Sequence, residues 1–124
     1  DEAAACGVEV IGAIPRFMRG LEHPLLTRCV WTDRMSERKD SMRDGTCLAI
    51  ALPGGIGTLD ELSETYCLAK MGLYKGRVVA FNMDGFYEPY KQQLDLFVEK
   101  GMLDRASREL ISFPETVEQL KSLL

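Results

Sequence analysis

The feature that most constrains this chain is a run of six apolar residues, 47–52 (CLAIAL), that leads into a glycine-rich turn, 53–58 (PGGIGT). An uninterrupted apolar run ended by proline predicts a strand that is covered on both faces, as in the middle of a parallel sheet. Three glycines within four residues carry a high entropic cost, because glycine loses more backbone freedom on folding than any other residue. We therefore expect the turn to require positive φ angles or a close approach to the backbone.

Strand-like and helix-like patterns alternate along the chain. Short segments rich in β-branched or apolar residues predict strands, and amphipathic segments of period 3.6 predict helices. We expect strands at residues 8–14, 28–32, 47–52, 77–82 and 110–112, and helices at residues 35–43, 58–71, 86–100 and 114–124. This alternation predicts one α/β domain, residues 1–124, with a parallel sheet and helices on both faces.

The helical periodicity also predicts which side chains face the core. The expected inward stripes are Leu59, Leu62, Tyr66 and Ala69, then Tyr87, Tyr90, Leu94 and Phe97, and finally Val117, Leu120 and Leu124. Pro114 is expected in the first turn of the last helix. Met42, Met71 and Trp31 are expected to pack in the core rather than to contact a substrate.

Composition argues against several classes of function. The net charge of −4, from 15 basic and 19 acidic residues, lacks the basic excess of a nucleic-acid-binding domain. No apolar stretch approaches the ~20 residues that cross a bilayer. His23 is the only histidine, and no two of the four cysteines form a C-x-x-C pair, which argues against a metal site or a histidine-based triad. We expect no metal and no cofactor, His23 exposed in a loop, and reduced, mostly buried thiols in a cytoplasmic protein.

The glycine-rich turn has a structural explanation and a functional one. Residues 58–61 have the T-x-x-E spacing of a capping box, in which the Thr58 hydroxyl accepts the Glu61 N–H and the Glu61 carboxylate accepts the Thr58 N–H. The same turn, at the carboxyl end of a buried strand, would direct several N–H groups and the positive end of the helix dipole at one spot. A phosphate could then approach Gly54, Gly55 and Gly57 closely.

Two familiar phosphate loops do not match this turn. A Walker loop is absent because no Gly-Lys-[Ser/Thr] follows the glycines. The dinucleotide pattern G-x-G-x-x-G also fails, because Asp60 stands where the last glycine should be. A nucleoside monophosphate suits the turn better, since one phosphate fills one helix terminus.

Two motifs together resemble the LOG family of cytokinin-activating phosphoribohydrolases, which were long labelled possible lysine decarboxylases. They are M-x-x-R-K at residues 35–39 and P-G-G-x-G-T-x-x-E at residues 53–61. Either motif alone would be weak, but the pair at this separation is specific. Residues 72–75 and 82–87 are also similar, so that the resemblance covers essentially the whole chain. It implies a Rossmann-like fold whose N-terminal part this chain lacks, so that we expect either a fragment of the family domain or a shortened paralogue.

The resemblance implies hydrolysis of the N-glycosidic bond of a nucleoside 5′-monophosphate, either AMP or an N6-substituted AMP, to a free base and ribose 5-phosphate. It also implies a homodimer or larger homo-oligomer with active sites close to the subunit interface. By position, the catalytic pair corresponds to Arg38 and Glu61, the phosphate loop to Gly55, Gly57 and Thr58, and the lining of the nucleotide site to Met35 and Lys39.

The chemistry of these residues is consistent with that reaction. Cleavage of the ribosyl–base bond develops positive charge on the sugar. The Glu61 carboxylate can stabilise that charge, hold the ribose hydroxyls or orient the attacking water. Arg38 keeps its proton, so we expect it to orient the nucleotide and to stabilise negative charge on the departing base.

Two other functions remain open from the sequence. A nucleotide or cofactor carrier of the same fold would have no need of Arg38 together with Glu61, and an inactive subunit would only build an oligomer. Lysine decarboxylation is not supported, because Lys39 lies on a charged helix without a pyridoxal-lysine context.

Overall fold

The chain forms two compact units, of which the first ends at Gly45 and the second begins at Thr46. They are seen in a computed structural model that describes residues 2–123. Each unit has its own parallel sheet with helices packed on the strands, which confirms the predicted α/β class. The helices within residues 2–123 are all too short or too polar to span a lipid bilayer. That residues 1–124 make one domain stays a prediction.

The first unit is a two-stranded parallel sheet that carries one long helix. Its elements are α1 (Glu2–Ala5), β1 (Ile11–Pro15), a 3₁₀ turn (Arg16–Met18), β2 (Arg28–Thr32) and α2 (Met35–Arg43). β2 and α2 have the predicted bounds. β1 begins three residues later than predicted, because its partner strand begins only at Arg28, which lies opposite Ile11. α2 packs on both strands.

The second unit is a three-stranded parallel sheet in the order β3-β4-β5. Its elements are β3 (Leu48–Ala51), α3 (Ile56–Lys70), β4 (Arg77–Ala80), a 3₁₀ turn (Met83–Gly85), α4 (Glu88–Glu99), α5 (Arg105–Arg108), β5 (Ile111–Ser112) and α6 (Val117–Lys121). β3 and β4 pair with Ala49 opposite Val78, and Val78 also lies opposite Ile111 of β5. β5 is an edge strand of this order.

The core of the second unit lies between the sheet and α3 and α4. Leu62 and Tyr66 of α3 and Leu94 of α4 are buried in one hydrophobic cluster, which confirms those predicted stripe positions, and Val78 of β4 belongs to the same cluster. Tyr87, which precedes α4, belongs to the same cluster. This cluster holds the sheet in place. The candidate site begins at the carboxyl end of one of its strands, β3.

Several predicted core residues are exposed instead. β3 is not covered on both faces, because Ile50 is 40% exposed and Leu52, just past its end, is 60% exposed. β3 is the other edge of the β3-β4-β5 order, and an apolar run cannot specify how many neighbours its strand has. The remaining exposed residues are Met42, Met71, Phe97 and Val117.

Phe97 and Met71 are exposed because of where they lie on or beside their helices. The inward row of α4 continues from Leu94 to Val98, at i and i+4, so that Phe97 is turned to one side. Met71 is the cap residue that follows α3. Trp31 is half-buried, with the Arg19 guanidinium 5.7 Å from its ring centroid.

The last helix begins later than predicted. Thr116 is its cap, with Oγ1 accepting the Gln119 N–H at 3.2 Å, so that Pro114 lies before α6 and not in its first turn. Leu120 is half-buried as expected, whereas the prediction for Leu124 falls outside the described residues.

The cysteines differ from expectation in burial. All four are free thiols, but Cys6, Cys47 and Cys67 are exposed and Cys29 is half-buried. The prediction that they are mostly buried is therefore wrong. His23 is exposed in a loop, as predicted, and its Nδ1 accepts the Leu25 N–H at 3.2 Å.

Candidate active site

The glycine-rich turn leads directly into α3, which begins at Ile56, two residues earlier than predicted. Gly55 is the N-cap residue, with extended backbone angles of φ −88° and ψ −160°, and no side chain of the described residues caps the helix. The first helical hydrogen bond runs from the Leu59 N–H to the Gly55 carbonyl at 3.1 Å. The predicted capping box is therefore wrong, because Thr58 is the third residue of α3 and Glu61 lies in its second turn.

The three glycines of the turn do not serve positive φ angles. None of Gly54, Gly55 and Gly57 has a positive φ. Gly54 is required by a close approach, since a Cβ there would clash with the Thr58 hydroxyl and lie 2.9 Å from the Thr58 Cβ. A Cβ at Gly55 or Gly57, in contrast, would meet no described atom within 4 Å. These two glycines leave open space at an exposed helix start.

The start of α3 is electrostatically suited to an anion. The first N–H groups of a helix have no partner within the helix, and the helix dipole adds partial positive charge at the same end. α3 is 15 residues long and has no acidic residue in its first turn. Thr58 is half-buried there and adds a hydroxyl, so that backbone and side-chain donors lie together at the carboxyl end of β3.

A buried tyrosine supports the residues that precede the turn. The Tyr87 hydroxyl donates a hydrogen bond to the Leu52 carbonyl at 2.7 Å. Burial raises the pKa of Tyr87, so the phenol keeps its proton over the neutral range. The helical periodicity predicts Tyr87 in the core, and Tyr87 lies among the family-like residues, but no local pattern indicates its partner.

The second motif lies at the start of α2 in the first unit. Met35 is the first residue of this helix and is exposed, whereas Arg38 and Lys39 are half-buried in its following turn. The Arg38 Nε donates a hydrogen bond to the Ala13 carbonyl of β1 at 3.2 Å. This bond fixes the guanidinium against the strand and limits the orientations that it can adopt.

The start of α2 differs from that of α3, because a carboxylate of the helix itself caps it. The Glu37 Oε2 accepts the N–H groups of Asp33 at 3.0 Å and Arg34 at 3.3 Å, and the Arg34 Nε donates to Oε1 at 2.9 Å. The Asp33 N–H, followed by the Arg34 side chain, holds the pKa of Glu37 below its usual range. Glu37 therefore has a structural role, which the sequence analysis did not assign to it.

Thr32, the last residue of β2, is a polar residue that the sequence analysis missed. It is buried, and its Oγ1 has no hydrogen-bond partner within residues 2–123. A buried hydroxyl without a partner is uncommon, and each one needs an explanation. It lies three residues before Met35, and no sequence pattern distinguishes it from an ordinary strand threonine.

The predicted site residues thus form two local groups. Gly54, Gly55, Gly57, Thr58 and Glu61 lie in the turn and the first two turns of α3. Met35, Arg38 and Lys39 lie in the first half of α2.

The second unit also has a cleft that belongs to neither group. It has a volume of about 650 Å³, is lined by residues of α4, α5 and their connection, and includes no predicted site residue. The ion pair between Arg108 Nε and Asp95 Oδ1, at 2.6 Å, involves two of its lining residues. Across residues 2–123, no three His, Cys, Asp or Glu side chains are grouped as metal ligands would be.

Comparison with known proteins identifies the family. The family model described as "Possible lysine decarboxylase" matches residues 1–124. The chain belongs to this family, the LOG family. It is 35% identical over 116 residues to cytokinin riboside 5′-monophosphate phosphoribohydrolase LOG of Oryza sativa subsp. japonica, covering 92% of this chain and 48% of that protein. It is 36% identical over 120 residues to LOG3 of Arabidopsis thaliana, which has the same descriptive name, covering 94% of this chain and 56% of that protein.

The predicted resemblance to the LOG family is therefore confirmed along the chain. The chain spans about half the length of these curated relatives. The family model carries the older description, whereas the relatives are named for nucleotide hydrolysis.

Proposed function

We propose that this protein hydrolyses the N-glycosidic bond of AMP or an N6-substituted AMP, releasing the free base and ribose 5-phosphate. The observation that carries the proposal is the exposed, uncapped start of α3, where Gly55 and Gly57 leave the backbone open to an incoming group. Membership of the LOG family, whose relatives are named phosphoribohydrolases of cytokinin riboside 5′-monophosphates, supports the same reaction.

The 5′-phosphate would bind at the start of α3. Its oxygens would accept the N–H groups of Ile56, Gly57 and Thr58 and the Thr58 hydroxyl, in the favourable field of the helix dipole. Gly54 allows Thr58 to pack closely against the turn, and Gly55 and Gly57 give the phosphate access to the backbone. The site would thus recognise the group that all nucleoside monophosphates share.

Two charged side chains would act on the bond that breaks. As the base leaves C1′ with the bonding electrons, positive charge develops on the ribose, and the Glu61 carboxylate would stabilise it or orient the attacking water. The water oxygen bonds to C1′, and a water proton goes to the base. A guanidinium group stays positively charged in proteins, so the Arg38 side chain would stabilise negative charge on the base, with its orientation limited by the bond to the Ala13 carbonyl.

The remaining assignments follow the same family relationship. Met35 and Lys39, on the helix that carries Arg38, would line the nucleotide site. A homodimer or larger homo-oligomer, with the active site close to its interface, completes the proposal.

Chromatographic measurement of free base and ribose 5-phosphate tests the reaction. We expect this chain to release base from AMP or from N6-isopentenyl-AMP, and Glu61→Gln to reduce release by about 10²-fold or more, as for loss of a catalytic carboxylate. Asp60→Asn is the matched control, because it neutralises the neighbouring, exposed carboxylate of α3 and should keep release within about twofold. Undiminished release by Glu61→Gln would contradict the assigned role. AMP binding without any base release would instead support a nucleotide carrier.

A further inference from the structure

We propose that Tyr87 is a positioning residue, whose hydroxyl holds the glycine-rich turn in the conformation that receives the phosphate. The inference rests on the proposed phosphate site at the start of α3. It assigns a function to a side chain that lies outside both motifs and acts through the backbone of the turn.

The hydroxyl of Tyr87 reaches the strand end from which the turn begins. Tyr87 is 4% exposed and directly precedes α4, and its hydroxyl lies 2.7 Å from the Leu52 carbonyl oxygen. Leu52 stands between the last residue of β3 and Pro53. The hydrogen bond therefore acts only three residues before Gly55, the cap of α3.

Within residues 2–123, the neighbouring groups leave the Leu52 carbonyl as a separate point of attachment for the turn. The Phe81 N–H donates to the Ala51 carbonyl at 2.9 Å, so the carbonyl at the end of β3 already has a partner in the sheet. Pro53 has no N–H to donate, and Leu52, Gly54, Gly55, Ile56 and Gly57 are all exposed. Because glycine is the most flexible residue, a fixed point at Leu52 restricts a segment that would otherwise adopt many conformations.

Tyr87 itself is held rigidly by Asn82. The Asn82 Oδ1 accepts the Tyr87 N–H at 2.7 Å, and Asn82 is 1% exposed. The Asn82 N–H donates to the Pro114 carbonyl at 2.8 Å, and its Nδ2 donates to the Glu88 Oε2 at 3.3 Å. The ring of Phe86 makes an edge contact with the Tyr87 ring at a centroid distance of 5.1 Å. Because Tyr87 is fixed relative to the sheet, its hydroxyl also fixes the position of the Leu52 carbonyl, at which the turn begins.

The network joins the two segments that follow neighbouring parallel strands. Asn82 and Tyr87 follow β4, and Leu52 follows β3, so both segments leave the same edge of the sheet. Ligands in open α/β sheets bind at this edge. A preorganised turn binds its ligand more tightly, since less ordering remains to be done on binding.

Tyr87→Phe tests the inference, and Tyr66→Phe is its matched control. Tyr66 is 5% exposed, and its hydroxyl also donates to a backbone carbonyl, that of Ser107, at 2.9 Å. Each variant removes one buried phenolic hydroxyl and one hydrogen bond to the backbone. Both should unfold at similarly reduced urea concentrations, whereas only Tyr87→Phe changes the attachment of the turn.

We expect Tyr87→Phe to weaken the binding of ribose 5-phosphate by about five- to tenfold, as for the loss of one hydrogen bond. Tyr66→Phe should bind it as the unchanged protein does. In the base-release assay, Tyr87→Phe should raise the KM for AMP and leave kcat within about twofold, because the phosphate contacts are kept throughout the reaction.

The possible failures are distinguishable. Unchanged binding by Tyr87→Phe, or equal weakening by Tyr66→Phe, would overturn the positioning role while the phosphate site stands. If the unchanged protein binds no ribose 5-phosphate, the proposed phosphate site is overturned and the positioning role with it. Binding without base release would overturn the hydrolytic function alone, and the comparison of the two variants would still decide the role of Tyr87.

Discussion

Thr32 illustrates how a single side chain can be costly to the fold. Its buried hydroxyl has no hydrogen-bond partner within residues 2–123, and burial of such a group costs about 1–3 kcal/mol. We predict that Thr32→Val, which replaces the hydroxyl by a methyl group, raises the free energy of unfolding by about 1 kcal/mol, measured by urea denaturation.

Thr65 is the matched control for this substitution. It is also buried, but its hydroxyl donates to the Glu61 carbonyl at 2.7 Å. Thr65→Val should therefore lower the free energy of unfolding by about 1 kcal/mol. A loss of stability in Thr32→Val as large as that in Thr65→Val would show that the Thr32 hydroxyl has a partner in solution.

At the scale of elements, α2 and α3 differ in the groups that lie at their N-terminal ends. The start of α2 is occupied by the Glu37 carboxylate, whereas α3 begins at glycines with no side-chain cap. Glu37 contributes to the stability of the folded state. This contribution is fully present above the ordinary glutamate pKa of about 4.3 and is lost as the pH falls through the lowered pKa of Glu37. Among the described residues, α3 has no acidic side chain in its first turn and no side-chain cap, so its first N–H groups can bind an added anion.

The glycines of α3 allow stability and binding to be separated. Gly57→Ala should raise the free energy of unfolding by about 0.5–1 kcal/mol, because alanine suits a helix better and its Cβ meets no described atom within 4 Å. It should nevertheless weaken ribose 5-phosphate binding by about tenfold or more, since the added methyl group would lie where we propose that the phosphate approaches the backbone. Urea denaturation and calorimetric titration measure the two effects.

Gly54→Ala is the contrasting variant. Its Cβ would clash with Thr58, so we expect a loss of about 1–3 kcal/mol of stability. If Gly57→Ala gains stability and binds ribose 5-phosphate unchanged, the open space at the start of α3 is not used by a phosphate.

Local sequence patterns predict where helices and strands lie better than they predict which residues contact one another in the fold. The bounds of β2 and α2 match the predicted ones residue by residue, and α2 ends just before Gly45, whose φ of 69° is typical of a helix end. The start of α3 was misplaced since T-x-x-E has the spacing of a capping box, and glycine offers no side chain that marks a cap. The motifs located the glycine turn, but the bond from Tyr87 to Leu52 joins residues 35 apart in the chain, beyond the range of any local pattern.

At the scale of the whole molecule, the chain has a LOG-family sequence and two parallel sheets. The helix that carries the first motif packs on one sheet, and the glycine-rich turn follows a strand of the other. Alternating strands and helices were enough to predict the α/β class. The exposure of Ile50 and Leu52 was not predictable, because burial depends on which elements neighbour β3 and not on the composition of the strand. The chemistry proposed for the molecule depends most on whether the start of α3 binds phosphate.

That binding can be measured directly by ¹H–¹⁵N NMR during titration with ribose 5-phosphate, with ribose as the control. We predict saturable shifts of the Ile56, Gly57 and Thr58 amide signals with ribose 5-phosphate and none with ribose. The Asp33 and Arg34 signals should stay in place, since Glu37 already accepts their N–H groups. Unchanged signals at the start of α3, or equal shifts with ribose, would contradict the account.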